Sequence, residues 1–148
     1  MNQPDFNLKH FIVITLLASI WINISEVFRY FLIVMPQVKS FFNDRPEIAT
    51  MDWGIFIIWT IWDMLLTAIL VFFFWLVAQV YGNSKRSILI SSSVICVAIF
   101  VMFWVATANM GMSYWKPLVI ILPLCWIEMF IGTWITSKLY KKIQNDKI

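Results

Sequence analysis

Four long apolar stretches divide the sequence and constrain the fold more than any other feature. A helix needs about 20 predominantly apolar residues to cross the hydrocarbon core of a bilayer, and each stretch meets that length: residues 11–35, 53–81, 88–108 and 117–138. Of the 148 residues, 61% are hydrophobic and 13% are charged, whereas soluble domains average about 25% charged. The sequence therefore predicts an all-α integral membrane protein, a single transmembrane domain over residues 1–148 that folds as a four-helix bundle.

Short polar segments between the stretches predict an up-down-up-down order. Pro36 is expected to end the first helix, since proline lacks the amide proton and disfavours helix in the residue before it. Asp52 suits the start of the second helix, where a carboxylate can cap the free amides. Gly82 suits a tight turn that makes the second and third helices antiparallel neighbours. Pro117 fits the first position of the fourth helix.

Lysine and arginine residues are distributed unequally between the two sides of the predicted bundle. With four crossings, both termini and the turn after the second helix share one side, which holds seven of them, Lys9, Lys85, Arg86, Lys138, Lys141, Lys142 and Lys147, against Lys39, Arg45 and Lys116 on the other. The positive-inside rule then predicts cytoplasmic termini in a bacterial inner (plasma) membrane and an external loop over residues 36–52. That loop either is plain or forms a short interfacial helix that places Phe41 and Phe42 among the headgroups.

Four ionisable residues lie inside the apolar stretches: Glu26, Arg29, Asp63 and Glu128. At 1.5 Å per residue, the three acids lie roughly 13–16 Å from the external ends of their helices, and Arg29 lies about 9 Å from its end. A charge at the middle of the membrane costs roughly 2.5–3.5 kcal/mol on the insertion scale. We therefore expect all four side chains to face the interior of the bundle.

The pairing of these charges has more than one solution. Glu26 and Arg29 are three residues apart and can pair along their own helix, or Arg29 can reach Asp63 or Glu128 instead. One arginine cannot neutralise three carboxylates, so at least one acid is expected to be protonated or to meet a cation, and Glu128 is the candidate for the protonated acid. The set is then either a functional site or a structural lock.

Polar and aromatic neighbours surround the predicted acid cluster. Asn23, Glu26 and Tyr30 share one face of the first helix, and Gly132 would let another helix approach the fourth. Tryptophans near carboxylates can hold an organic cation through cation–π contacts, although packing against lipid or core is the alternative explanation. The third helix has nothing ionisable at its middle and is expected to complete the wall. The predicted ligand- or proton-binding residues are Glu26, Arg29, Asp63, Glu128, Asn23, Tyr30, Trp59, Trp62 and Trp126.

The remaining chemistry-bearing residues are few. His10 is the only histidine, and Cys96 and Cys125 form no CxxC pair. The composition therefore argues against a bis-histidine haem, a Ser-His-Asp triad and a disulfide framework. A hard-cation site made of three carboxylates and Asn23 has no recognised ligand spacing to support it, so no metal ligand and no catalytic residue is predicted. The cofactor is left open, and a net charge of +3 does not indicate nucleic acid.

Three functions fit these features. In the preferred one, a small protein binds or transports a cationic, polar or lipophilic small ligand, with the acids exchanging a proton, and a homodimer is expected because four short helices enclose little volume. In the second, the chain is an accessory or assembly subunit of a larger membrane complex. In the third, it is a membrane-embedded enzyme acting on a lipid or isoprenoid, with an acid as proton donor. The preferred function makes the protein a binding protein rather than an enzyme.

Overall fold

Four helices make up the structure, a computed structural model that describes residues 6–43, 45–48 and 50–145. Each helix is long and apolar enough to cross a membrane. This confirms the prediction of an all-α membrane protein with four spanning helices packed as a bundle. The helices are α1 (Leu8–Phe41), α2 (Trp53–Tyr81), α3 (Lys85–Asn109) and α4 (Leu118–Asn145).

Consecutive helices run antiparallel. The start of α1 meets the end of α2, because the ring of Phe6 contacts that of Trp75 with centroids 5.0 Å apart. In the turn between α2 and α3, Asn83 Nδ2 donates to the carbonyl of Ser137 in the second half of α4, at 2.9 Å. Each helix packs on two neighbours, and α2 also contacts α4 across the diagonal. We call the end that holds Phe6 and Asn83 the terminal end, and the opposite end the loop end.

Side-chain caps set the first residues of three helices. The carboxyl of Asp52 accepts from the amide of Ile55 at 2.9 Å, so α2 begins at Trp53 as its apolar stretch does. Ser84 caps α3, which begins at Lys85 rather than at residue 88. Asn7 caps α1, which begins at Leu8 rather than at residue 11. These two helices start before their apolar stretches because a cap, not hydropathy, decides where helical hydrogen bonding begins.

The expectation that Pro36 ends the first helix is wrong, since α1 continues to Phe41. Residues Tyr30–Val34 form a π-helical turn in which the amide of Met35 donates to the carbonyl of Tyr30. A widened turn just before a proline relieves the clash between its ring and the preceding carbonyls, so the helix absorbs the proline instead of stopping. The external loop predicted over residues 36–52 is therefore shorter, and its first residues extend α1.

Gly132 is a point of close approach between α4 and its neighbours α1 and α2. A Cβ atom added there would lie 2.9 Å from Ile22 Cδ1 and 3.3 Å from Leu70 Cδ2, and both side chains are fully buried. Small residues allow helices to approach closely in membranes, where packing replaces the hydrophobic effect as the driving force. The expectation that Gly132 lets another helix approach is confirmed.

This contact gives a graded stability prediction for Gly132. We expect Gly132→Ala to change the free energy of unfolding by less than about 1 kcal/mol, because better helix propensity offsets a small shift of the Ile22 side chain. Gly132→Leu should lower it by about 1–3 kcal/mol, because the side chain forces the helices apart. Unfolding by titration with denaturing detergent measures both variants. A leucine variant as stable as the parent would contradict the close contact.

Helices α2 and α3 pack more closely at the terminal end than at the loop end. Helix α2 packs against Lys85–Ile95, the first part of α3, and the later part diverges from it after a second π-helical turn, Cys96–Val101. Ser91 and Ser92, both fully buried, lie in the tightly packed part of α3, where small side chains permit close approach. The divergence leaves a cavity between α1, α2 and α3 in the loop-end half of the bundle.

Candidate functional site

Arg29 connects three helices at the centre of the site. Its Nη2 contacts Glu26 Oε1 on its own helix, and its Nε donates to Glu128 Oε2 of α4 at 3.3 Å. Its guanidinium carbon lies 5.2 Å from the centroid of the Phe100 ring of α3, a cation–π distance. Pairing along the helix and pairing with Glu128 were predicted as alternatives, and in the structure both occur.

The close packing of α1 on α4 makes this pairing possible. Gly132 lies one turn after Glu128 and brings α4 against Ile22, one turn before Glu26. Beside the bridge, Trp21 Nε1 donates to the backbone carbonyl of Glu128 at 3.2 Å, which fixes the register of the two helices. The bridge between Arg29 and Glu128 is therefore held in place by the close contact of α1 with α4.

All four charged groups face the interior. The exposed fractions are 7% for Glu26, 6% for Arg29, 4% for Asp63 and 2% for Glu128. This confirms the prediction that the intramembrane charges are buried within the bundle. Among the described residues, Glu128 Oε1 is a buried oxygen without a hydrogen-bond partner. Which of the acids carries a proton stays a prediction.

Asp63 differs from the other two acids because, among the described residues, it forms no salt bridge with an arginine. In the described part of the chain, the salt bridges of Arg29 reach Glu26 and Glu128, and none reaches Asp63. Asp63 lines the cavity together with Glu26 and Arg29. Its backbone carbonyl accepts from the hydroxyl of Thr67 at 2.7 Å, one turn further along α2. One carboxyl therefore faces the cavity outside the ion-paired group.

The cavity has a volume of about 710 Å³ and a mostly apolar wall. Its polar side chains come from α1 and α2, and α3 contributes apolar and aromatic residues. The expectation that the third helix completes the wall is therefore confirmed. The aromatic residues of the wall are Tyr30, Trp59, Trp62, Phe100, Phe103 and Trp104.

The structure brings most of the predicted site residues to this cavity. Trp59 and Trp62 line it, and the ring of Trp59 meets that of Tyr30 edge-on with centroids 4.7 Å apart. Asn23 lies beside it in a smaller pocket that Asp63 shares. The Nδ2 of Asn23 donates to the carbonyl of Ser19 in the preceding turn, at 2.9 Å.

Trp126 is placed elsewhere. Its ring stacks on that of Phe130 with centroids 5.5 Å apart, and its Nε1 donates to the hydroxyl of Ser93 on α3 at 3.1 Å. It is two residues from Glu128, and residues two apart on a helix point in nearly opposite directions. Proximity in sequence to an acid was therefore a poor guide to proximity in space.

None of the six wall residues that α3 contributes was in the predicted set, and three of them are aromatic. Phe100, Phe103 and Trp104 line the cavity, and Phe100 also contacts Arg29. Their spacing of three and four residues places them on one helix face, and this signal in the sequence could have identified them.

Cys96 and Cys125 are free and buried, which agrees with their expected role as packing residues.

The arrangement can bind a positive charge in an apolar chamber. Among the described residues, no group of three histidine, cysteine, aspartate or glutamate side chains has the geometry to hold a metal ion. Comparison of the chain with protein-family models, curated proteins and solved structures gives no significant match.

Proposed function

We propose that the protein binds a small organic cation in the cavity between α1, α2 and α3, with Asp63 as its counter-ion. The observation that carries this proposal is the buried carboxyl of Asp63, which faces the cavity while Arg29 is engaged by Glu26 and Glu128. An ionised carboxylate is costly to bury without a partner charge. Either a proton or a bound cation can supply that charge.

The wall of the cavity suits such a ligand. Aromatic faces attract organic cations, most strongly when water is excluded, and aromatic residues of all three lining helices contribute. A volume of about 710 Å³ lies within the range of small-molecule sites, about 300–1,000 Å³. Apolar walls with a few placed polar groups are the usual composition of these sites.

The net charge of the site favours cations over anions. Arg29 contributes one positive charge, and Glu26, Glu128 and Asp63 are three acids. With Arg29 already bridging two of these acids, an anionic ligand would meet the carboxyl of Asp63 without a compensating donor. The site would therefore discriminate against anions, because binding an anion would leave buried charges without a partner.

Competition between a proton and the ligand for Asp63 would couple binding to proton release. That exchange is the step a proton-linked transporter requires, and we extend the proposal to transport on this basis. The distribution of lysine and arginine argues for cytoplasmic termini, which would place the cavity in the outer half of the membrane. The proposal includes a homodimer, since four short helices enclose little volume.

The proposal predicts that cation binding weakens as the pH falls. We expect the affinity for dodecyltrimethylammonium to drop about tenfold per pH unit while Asp63 takes up a proton, and to level off at higher pH. The charged or titratable groups that share the cavity with Asp63 are Glu26, Arg29 and Tyr30 of α1, with Glu128 of α4 behind Arg29. Equilibrium binding of the radiolabelled cation to protein in lipid nanodiscs measures the effect.

Uncharged dodecanol provides the control for this experiment. Its retention by the same nanodiscs should not vary with pH, because it offers no charge to Asp63. An affinity for dodecyltrimethylammonium that stays constant across the pH range would contradict the proposed competition.

A further inference from the structure

The mouth of the cavity lies between α2 and α3. The lining residues of α1 are all buried, among them Tyr30 and Val34, so α1 forms the back wall. The lining residues that are largely exposed belong to the other two helices. They include Ile58 and Trp62 of α2, at 66% and 64%, and Met102 and Phe103 of α3, at 65% and 59%.

This mouth lies at the depth of the acyl chains. Ile58 and Trp62 are five and nine residues from the first residue of α2, which is about 8 and 14 Å along the helix axis. Met102 is seven residues from the end of α3, about 10 Å along its axis. Since the hydrocarbon core is about 30 Å thick, the mouth opens sideways toward the hydrocarbon of one leaflet.

Side-chain size explains why the two helices separate here. In its first part, α3 packs on α2 and α4, and its buried residues there include the small Ser91 and Ser92. From the π-helical turn Cys96–Val101 onward, it presents Phe100 and Phe103 to the cavity instead. Small residues let helices approach and bulky ones hold them apart, so the lateral opening is a product of the sequence of α3.

We propose that the ligand is an amphipathic monocation that enters laterally from the bilayer. Its charged head would reach Asp63, and its apolar tail would stay in the mouth between Ile58 and Met102. The charge of Asp63 favours this occupant over an anionic lipid, and the apolar rim favours it over a cation that is soluble only in water. This inference rests on the proposed function and adds to it the class of the ligand and its route.

A pair of cations with the same head group tests the role of the tail. Tetramethylammonium and dodecyltrimethylammonium differ only in the alkyl chain, and their binding is compared in phosphatidylcholine nanodiscs after subtraction of binding to protein-free discs. With free concentrations measured in the aqueous phase, we expect the dodecyl compound to bind at least about tenfold more tightly. Equal affinities would overturn the amphipathic class of the ligand.

Two neighbouring residues of α3 provide a matched pair of variants for the route. Ala98 and Val97 are both exposed, but only Ala98 lines the cavity. We expect Ala98→Trp to slow association of dodecyltrimethylammonium about tenfold by narrowing the mouth, while Val97→Trp leaves the rate unchanged. Rapid filtration with the radiolabelled compound gives both rates. Equal rates for the two variants would overturn lateral entry.

A second pair of variants, on α2, tests the same route independently in case Ala98→Trp does not fold. Ile58 lines the mouth, whereas Ile57 is exposed at 57% and does not line the cavity. Ile58→Trp should slow association and Ile57→Trp should not. If the proposed function itself is wrong, Asp63→Asn will bind both ammonium compounds as well as the parent does. If the lateral route alone is wrong, binding will depend on Asp63, but variants of the mouth will have no effect on the rates.

Discussion

Replacing Arg29 by methionine is expected to lower the free energy of unfolding by about 3–5 kcal/mol, which is the usual cost of removing one partner from a buried ion pair. The side chain is 6% exposed and contacts Glu26, Glu128 and the ring of Phe100. Methionine keeps much of the length and the apolar character of arginine. The loss therefore reports the missing charge rather than a missing volume.

The size of this effect follows from what the variant leaves behind. Without Arg29, two carboxyl groups remain buried next to each other with no cation in the described part of the site. Burial of an unpaired charge costs several kcal/mol, or the group must take up a proton to avoid that cost. The variant also loses the bridge that joins α1 to α4.

Two further variants separate the missing charge from other causes. In the combined variant Glu26→Gln, Arg29→Met, Glu128→Gln, neither former partner of Arg29 is left as an unpaired carboxylate, and we expect it to regain most of the stability that Arg29→Met loses. Arg45→Met removes an exposed arginine and should change the free energy of unfolding by no more than about 0.5 kcal/mol. Titration with denaturing detergent measures all of them. An Arg29→Met variant as stable as the parent would show that the two bridges do not stabilise the fold.

Much of the fold could be predicted because hydropathy and the cost of buried charge act on single helices. A stretch such as residues 53–81 has to cross the membrane whatever its neighbours are, and α2 has these same bounds. The inward direction of Glu26, Asp63 and Glu128 follows in the same way, since lipid would be the only alternative environment. Each of these conclusions needs information from one segment at a time.

Other features depend on how the helices contact each other, and the pattern of a single segment does not predict such contacts. The continuation of α1 past Pro36 depends on a π-helical turn that a proline rule does not include. The pairing of Arg29 with Glu128 as well as with its own-helix partner depends on the approach of α4 at Gly132. Trp126 was assigned to the site by its closeness to Glu128 in the chain, although it points toward Ser93. The spacing of Phe100 placed it on the same helix face as Phe103, but its contact with Arg29 depends on the distance between two helices.

Asp63→Asn should produce the opposite result from Arg29→Met. Asparagine is nearly isosteric with aspartate, and no arginine depends on Asp63 for its charge among the described residues. We therefore expect a free energy of unfolding equal to that of the parent or higher, since a neutral amide is cheaper to bury than a carboxylate. Affinity for dodecyltrimethylammonium should fall at least about 100-fold, which corresponds to about 2.7 kcal/mol, because the cation loses its counter-ion in an apolar cavity.

Asp52→Asn is the matched control for this variant. Asp52 lies eleven residues before Asp63 and directly precedes α2, is exposed, and caps that helix through the amide of Ile55. Asparagine is an equally good cap, so the control removes one carboxylate outside the cavity and leaves the helix intact. Any general effect of lowering the negative charge of the protein would appear in both variants.

Equilibrium binding of radiolabelled dodecyltrimethylammonium to the parent, Asp63→Asn and Asp52→Asn in the same nanodiscs is the deciding measurement. We expect Asp63→Asn to remain folded and to lose about 100-fold in affinity, while Asp52→Asn binds as the parent does. A folded Asp63→Asn variant that binds the cation as tightly as the parent would show that this buried carboxyl is not the counter-ion of a ligand.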